Sequence, residues 1–186
     1  GYDAKILNGA ERVDTSAVVV NDNEIEIQFS WYDARIKATL DESGQMMTGE
    51  WSKTAANNHI SKLPFTAQRG YPFRFQNKDT IQVATNVNGV WEVTFTDEDG
   101  PSVAVGEFKQ SGHKVSGTFL TPTGDYRYLA GNAQGGRMYL SAFDGAHAFL
   151  FNAKIQNGQI VDGNFWSRDT YHATWTAVKN DDAYAM

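Results

Sequence analysis

The sequence predicts an all-β protein of antiparallel, up-and-down meanders that close into barrels, arranged as a tandem duplication with an incomplete first copy. Three observations carry this. The 17 glycines, against only four prolines, fall between short alternating or β-branched segments, the punctuation of strands joined by tight turns. No window repeats its apolar residues at helical spacing. A motif of glycine, four residues, glycine, one residue, aromatic is written three times: GQMMTGEW at 44–51, GHKVSGTF at 112–119 and GQIVDGNF at 158–165.

From Gly89 onward the pattern predicts strands at 90–96, 103–110, 114–121, 126–131, 138–143, 147–155, 160–167 and 171–179. Their connections, DEDGPS, SGH, PTGD, NAQGGR, DGA, QNGQ and RDT, are hairpin-sized, so each strand is expected to pair with the next. Closing such a meander removes its unpaired edges and leaves an interior wide enough for packed side chains or one small ligand. In each motif copy the first glycine belongs in a turn. The second sits where a strand bends or a backbone approaches closely, and the aromatic two positions on shares its face and is placed to lean over it.

The repeat extends beyond the motif. IEIQFSWYDARIKATLDESGQMMTGEW followed by KLPFTAQR lies against LSAFDGAHAFLFNAKIQNGQIVDGNF followed by HATWTAVK. Residues 1–70 therefore read as a first copy with strands at 5–8, 12–20, 24–29, 34–41, 47–52 and 63–68, residues 71–88 as a connector rich in aromatics, and 89–180 as the complete barrel.

Composition narrows the function. A chain of 186 residues that is 41% apolar and 13% aromatic can fill a core. A net charge of −6 with no run of Lys or Arg argues against nucleic acid or an anionic membrane surface as partner. No segment approaches the roughly 18 apolar residues of a membrane span. Cysteine is absent, which removes disulfides, thiolate metal sites and thiol catalysis. The chain opens on GYDAKILNG without a basic and then apolar segment, so a signal peptide is expected to have been removed or to lie outside it.

In an up-and-down meander the ends of odd strands and the starts of even strands gather at one rim. That rule sends Asp97, Glu98 and Asp99 to one turn, Thr121, Thr123, Asp125, Tyr126 and Arg127 to the next, then Asp144 and His147, then Trp166, Arg168, Asp169 and His172. The opposite rim receives mainly Ser111, His113, Asn132, Gln134, Arg137 and Asn157. One reading is a polar-mouthed ligand site at Thr121, Thr123, Asp125, Tyr126, Arg127, Asp144, His147, Trp166, Arg168 and His172, with Tyr126, Phe149 or Trp166 giving apolar area. The other is ordinary turn chemistry, with Asp side chains bonding amides and Asp–His or Asp–Arg pairs tying the rim together.

Neither a metal nor a catalytic residue is expected. His147, His172 and a carboxylate lack the close spacing of a zinc signature. Either histidine could pair with Asp144 or Asp169 for acid–base work, but no G-x-S-x-G nucleophile motif occurs. GNAQGG falls in a hairpin and not before a helix, so it is no phosphate loop, and no cofactor is expected. His59 reads as a solvated loop residue.

At GEFKQSGHKVSGTFLTPTGDYRYLAG, MYLSAFDGAHAFLF and GNFWSRDTYHATWTAVK, and at ILNGAERV and LPFTAQR, the chain resembles the region preceding the thioredoxin-like domain of secreted or periplasmic TlpA-like redoxin proteins of the AhpC/TSA class. The resemblance covers most of residues 5–180 and implies an extracytoplasmic location, a covalently linked thioredoxin-like domain and further strands upstream. The redox centre of such proteins is a Cys-x-x-Cys in the later domain, so no redox residue carries over to this chain. A looser likeness to avidin- and lipocalin-type barrels rests on GVW at 89–91 followed by GHKVSGTF, and is one of architecture. The resulting expectation is a non-catalytic accessory module that docks a client protein or envelope component. The alternative is a carrier that binds a small molecule at the mouth of the second barrel.

Overall fold

The computed structural model describes residues 1–72, 74–75 and 85–185. Part of the expected connector at 71–88 therefore lies outside the described residues. The strands are β1 (Lys5–Asn8), β2 (Glu11–Asp14), β3 (Ala17–Asn21), β4 (Glu24–Phe29), β5 (Ala34–Leu40), β6 (Met46–Thr54), β7 (Ile60–Gln68), β8 (Gly89–Asp97), β9 (Gly100–Ser111), β10 (Lys114–Thr121), β11 (Gly124–Asp125), β12 (Leu129–Gln134), β13 (Arg137–Phe143), β14 (Ala148–Gln156), β15 (Gln159–Ser167) and β16 (Tyr171–Lys179). The chain forms two compact units. The first is Gly1–Phe73 with Phe143–Ala148 and Arg168–Thr170, and the second is Arg74–Ala142, Phe149–Ser167 and Tyr171–Met186.

The second unit is a closed antiparallel barrel of eight strands, β8-β9-β10-β12-β13-β14-β15-β16, with β11 as a short flap on β10. The closing ladder joins β16 to β8 from Thr174↔Thr96 to Lys179↔Trp91. Strand alternation turns Trp91, Phe95, Phe108, Phe119, Phe151, Phe165 and Trp175 inward, and each is at most 5% exposed. The rings fill the barrel: Phe151 stacks on Phe165 at 4.2 Å and on Phe119 at 4.7 Å. Each such side chain contributes roughly 1.5–3 kcal/mol by burial. The indoles also satisfy their polar edge, Trp91 Nε1 donating to the Val87 carbonyl at 2.8 Å and Trp175 Nε1 to the Asn152 and Asn164 carbonyls, both at 3.2 Å.

The repeated motif has a steric explanation. Gly44, Gly112 and Gly158 have φ of +69°, +60° and +75° with open space around them, so they serve the turn backbone. Gly49, Gly117 and Gly163 are different: a Cβ there would overlap the carbonyl oxygen of Lys37, Glu107 or Trp175 on the neighbouring strand. The ring that covers each barrel glycine is not the aromatic two positions on. It belongs to the directly paired residue of a neighbouring strand, Phe108 over Gly117 and Trp175 over Gly163. Phe119 and Phe165 go instead to the core.

Several observed strands are longer than expected, as β7 and β9 are by three residues at their starts, and two expected strands are split or shortened. The strand expected at 12–20 is split into β2 and β3 at Thr15–Ser16, where Thr15 Oγ1 donates to the Ala4 carbonyl and both Ser16 N and Oγ donate to the Gln28 carbonyl. The strand expected at 126–131 begins at Leu129, because Arg127 adopts a left-handed φ of +55°, outside the extended region of a regular strand.

In the first unit β3 to β7 form an open five-stranded meander, and β1 pairs with β2 as a separate hairpin. One face of the meander holds Phe29, Ala34, Ile36, Ala38 and Trp51, with Phe143 packed edge-on against Phe29 at 5.7 Å and Trp51 at 6.0 Å. The other face carries Glu26, Lys37, Glu50 and Lys62 on adjacent strands, paired as Lys37–Glu26 at 3.7 Å and Lys62–Glu50 at 3.0 Å, a solvated charge ladder.

Gly163→Ala should cost roughly 1–3 kcal/mol in urea unfolding, because backbone and indole both block the added carbon. Gly112→Asn, at an open left-handed position that Asn tolerates, should stay within about 0.5 kcal/mol of wild type. Equal losses would refute the steric account.

Candidate functional site

The ten residues expected at the rim fall into four settings. Asp144, His147 and Arg168 belong to the first unit. Asp144 is 4% exposed; its Oδ1 accepts from the amides of Ala146 at 2.9 Å and His147 at 2.6 Å, and its Oδ2 lies 2.9 Å from His147 Nδ1. D-G-A-H thus folds into a turn around one carboxylate. Burial pushes the Asp144 carboxyl up, but the hydrogen bonds from the His147 ring and the two amides outweigh it and hold the group well below the usual range. The half-buried His147 ring has its Nδ1 edge fixed. Arg168 serves the turn through its left-handed backbone, φ +53°, with its amide donating to the Ala148 carbonyl at 2.9 Å. Its neighbour Asp169 accepts from the Lys62 amide at 3.1 Å.

Thr121, Thr123, Asp125 and Arg127 make the turn between β10 and β12. Thr121 Oγ1 donates to the Gly124 carbonyl at 2.8 Å and lies 3.2 Å from Thr123 Oγ1, while Asp125 Oδ1 accepts from the Arg127 amide at 3.4 Å. This is local turn chemistry.

Trp166 and His172 face outward. Their neighbours in sequence, Phe165 and Ala173, hold the inner positions, so alternation sends the cross-strand pair Trp166 and His172 to the outer wall, where the rings lie 5.3 Å apart. There His172 Nε2 is 3.0 Å from Asn164 Oδ1, and Asn164 Nδ2 donates to Asn152 Oδ1 at 3.3 Å. The expectation that both line the mouth took the wrong face of each strand.

What does line the mouth is Tyr126, Phe149 and Tyr171, all packed on Phe165 at 5.0, 5.7 and 5.7 Å, with Asp97 beside them. Tyr171 Oη donates to Asp97 Oδ2 at 2.6 Å. That bond first, and the Asp99 amide next, lower the Asp97 carboxyl. Burial, then Asp97, raises both the Tyr126 and Tyr171 phenols. Tyr171 was missed, though counting back from Trp175 in steps of two places it inside.

The fold and site together define a closed eight-stranded antiparallel barrel with a filled interior and an aromatic mouth, joined in one chain to an open meander unit. No protein-family model, curated protein or solved structure matches this chain. Among the described residues no group of three or more His, Cys, Asp or Glu side chains is placed to hold a metal ion, and no helix is long and apolar enough to cross a membrane.

Asp144→Ala leaves two turn amides and the His147 ring without their acceptor, and should cost about 2–4 kcal/mol near neutral pH. Because the folded carboxyl is depressed, its contribution is complete above about pH 5 and is lost progressively as pH falls through the ordinary carboxylate range towards the folded value. In urea titrations the gap between the two proteins should therefore begin to narrow only below about pH 4 and close as pH approaches the depressed folded value. A stability gap independent of pH would refute the charged-acceptor account.

Proposed function

We propose that this chain is a non-catalytic binding module, accessory to an extracytoplasmic thioredoxin-like domain, that docks a client protein or an envelope component. The observation that carries this reading is the barrel interior. A carrier needs a cavity of roughly 300–1,000 Å³, whereas Phe95, Phe119, Phe151, Phe165 and Trp175 pack ring to ring through the middle of this barrel. Recognition then belongs to surfaces. The link to a thioredoxin-like domain is supported by the sequence resemblance.

Removing this region from the parent oxidoreductase should lower turnover of protein clients and leave the reactivity of its thiols toward a small disulfide unchanged. Unchanged client turnover would count against docking. A thermal-shift screen of apolar small molecules should raise the melting temperature by less than about 1 °C; stabilisation of several degrees, the signature of binding well above Kd, would favour the carrier.

A further inference from the structure

We infer that the mouth of the barrel is a recognition site for a cationic side chain, the ammonium or guanidinium of a Lys- or Arg-bearing segment of the docked protein. The inference rests on the docking reading above and names the chemistry of its partner.

The site begins with the rings. Tyr126, Phe149 and Tyr171 are inward-facing positions at the Asp97 end of the strands, held against the buried Phe165, and Tyr126 and Phe149 meet edge to face at 5.5 Å. Phe165 is 1% exposed, whereas Tyr171 is 39% exposed and Tyr126 and Phe149 are half-buried. Space beneath them is taken by Phe95, Phe119 and Phe151. A ligand at this mouth can therefore lie only on the exposed parts of these rings. A cation over an aromatic face is attracted by the ring quadrupole, and tyrosine and phenylalanine both provide it.

Charge makes the choice of partner. Asp97, Glu98 and Asp99 stand in the β8–β9 turn and make no ion pair among the described residues. Asp97 is fixed by the Tyr171 hydroxyl at 2.6 Å on one oxygen and by the Asp99 amide at 2.9 Å on the other, which keeps a carboxylate at the edge of the ring cluster. An anion would meet uncompensated negative charge. A neutral apolar group would leave that charge unanswered. A guanidinium or ammonium satisfies rings and carboxylate at once, and a chain of net charge −6 favours its approach.

The probes are a hexapeptide containing two arginines and its glutamate counterpart, titrated into the intact chain and followed by amide and aromatic NMR shifts. The arginine peptide should give saturable shifts at Tyr126, Phe149 and Tyr171, weakening at least threefold between 50 and 300 mM salt, and the glutamate peptide none. Asp97→Asn combined with Asp99→Asn should weaken the arginine peptide at least tenfold with the remaining spectrum unchanged. Tyr171→Phe, which keeps the ring, should lose less than threefold. Equal shifts from both peptides, shifts confined to other surfaces, or an unaffected Asp97→Asn/Asp99→Asn variant would overturn the proposal. If that variant in the parent protein retains client turnover that deletion of the whole region abolishes, docking stands and the mouth is not its site.

Discussion

Closure of the barrel is the constraint from which the rest follows. The β16–β8 ladder brings Lys179 opposite Trp91 and Thr174 opposite Thr96, so every inner side chain of eight short strands must share one narrow space. That space is filled by aromatic rings. Glycine at 117, 131 and 163 stands where two backbones come close: at each, a methyl group would strike a carbonyl oxygen of the adjoining strand, as it would at Gly49 in the open meander. At 163 a bulge adds a local bend, with Asp162 left-handed at φ +50° and the register shifted between Ile160 and Gly163.

Filling also sets what the molecule can recognise. An eight-stranded barrel stands at the size where the interior either packs side chains or holds one small ligand. Here Phe151 and Phe165 lie parallel, 3° apart in plane, and Phe95 touches Phe119, Phe151, Phe165 and Trp175. Aromatic pairs of this kind add about 0.5–1.5 kcal/mol each beyond their burial, so opening a cavity here would break several of them together. Binding surfaces are then the mouth, the turns and the outer wall.

Much of the fold was legible in the sequence because alternation is a local signal. Strands 24–29, 114–121 and 171–179 coincide with β4, β10 and β16, each bounded by Gly, Asn, Asp or Thr turns. The departures come from backbone conformation that composition does not announce, as in Arg127 with its left-handed φ in a segment that reads as strand. The site was less legible. D-G-x-H reads directly as a carboxylate-centred turn, and Asp144 and His147 form one. The face of Trp166 and His172 was decidable from the parity of Trp175. The Tyr171–Asp97 bond was not, since it joins residues 74 apart in sequence, and only the register of the closing ladder brings them together.

Two aspartates at turns show why residue type alone does not separate framework from recognition. Asp144 is buried and its oxygens are taken up by two amides and an imidazole, so its charge is consumed in holding its own turn. Asp97 also caps a turn amide, but its second oxygen accepts from a phenol, and the carboxylate stands at the surface beside half-covered rings. A phenol hydrogen bond orients a carboxylate without neutralising it. Charge left over in this way, next to aromatic surface that the core has no room to absorb, is available to a partner; charge spent as at Asp144 is not.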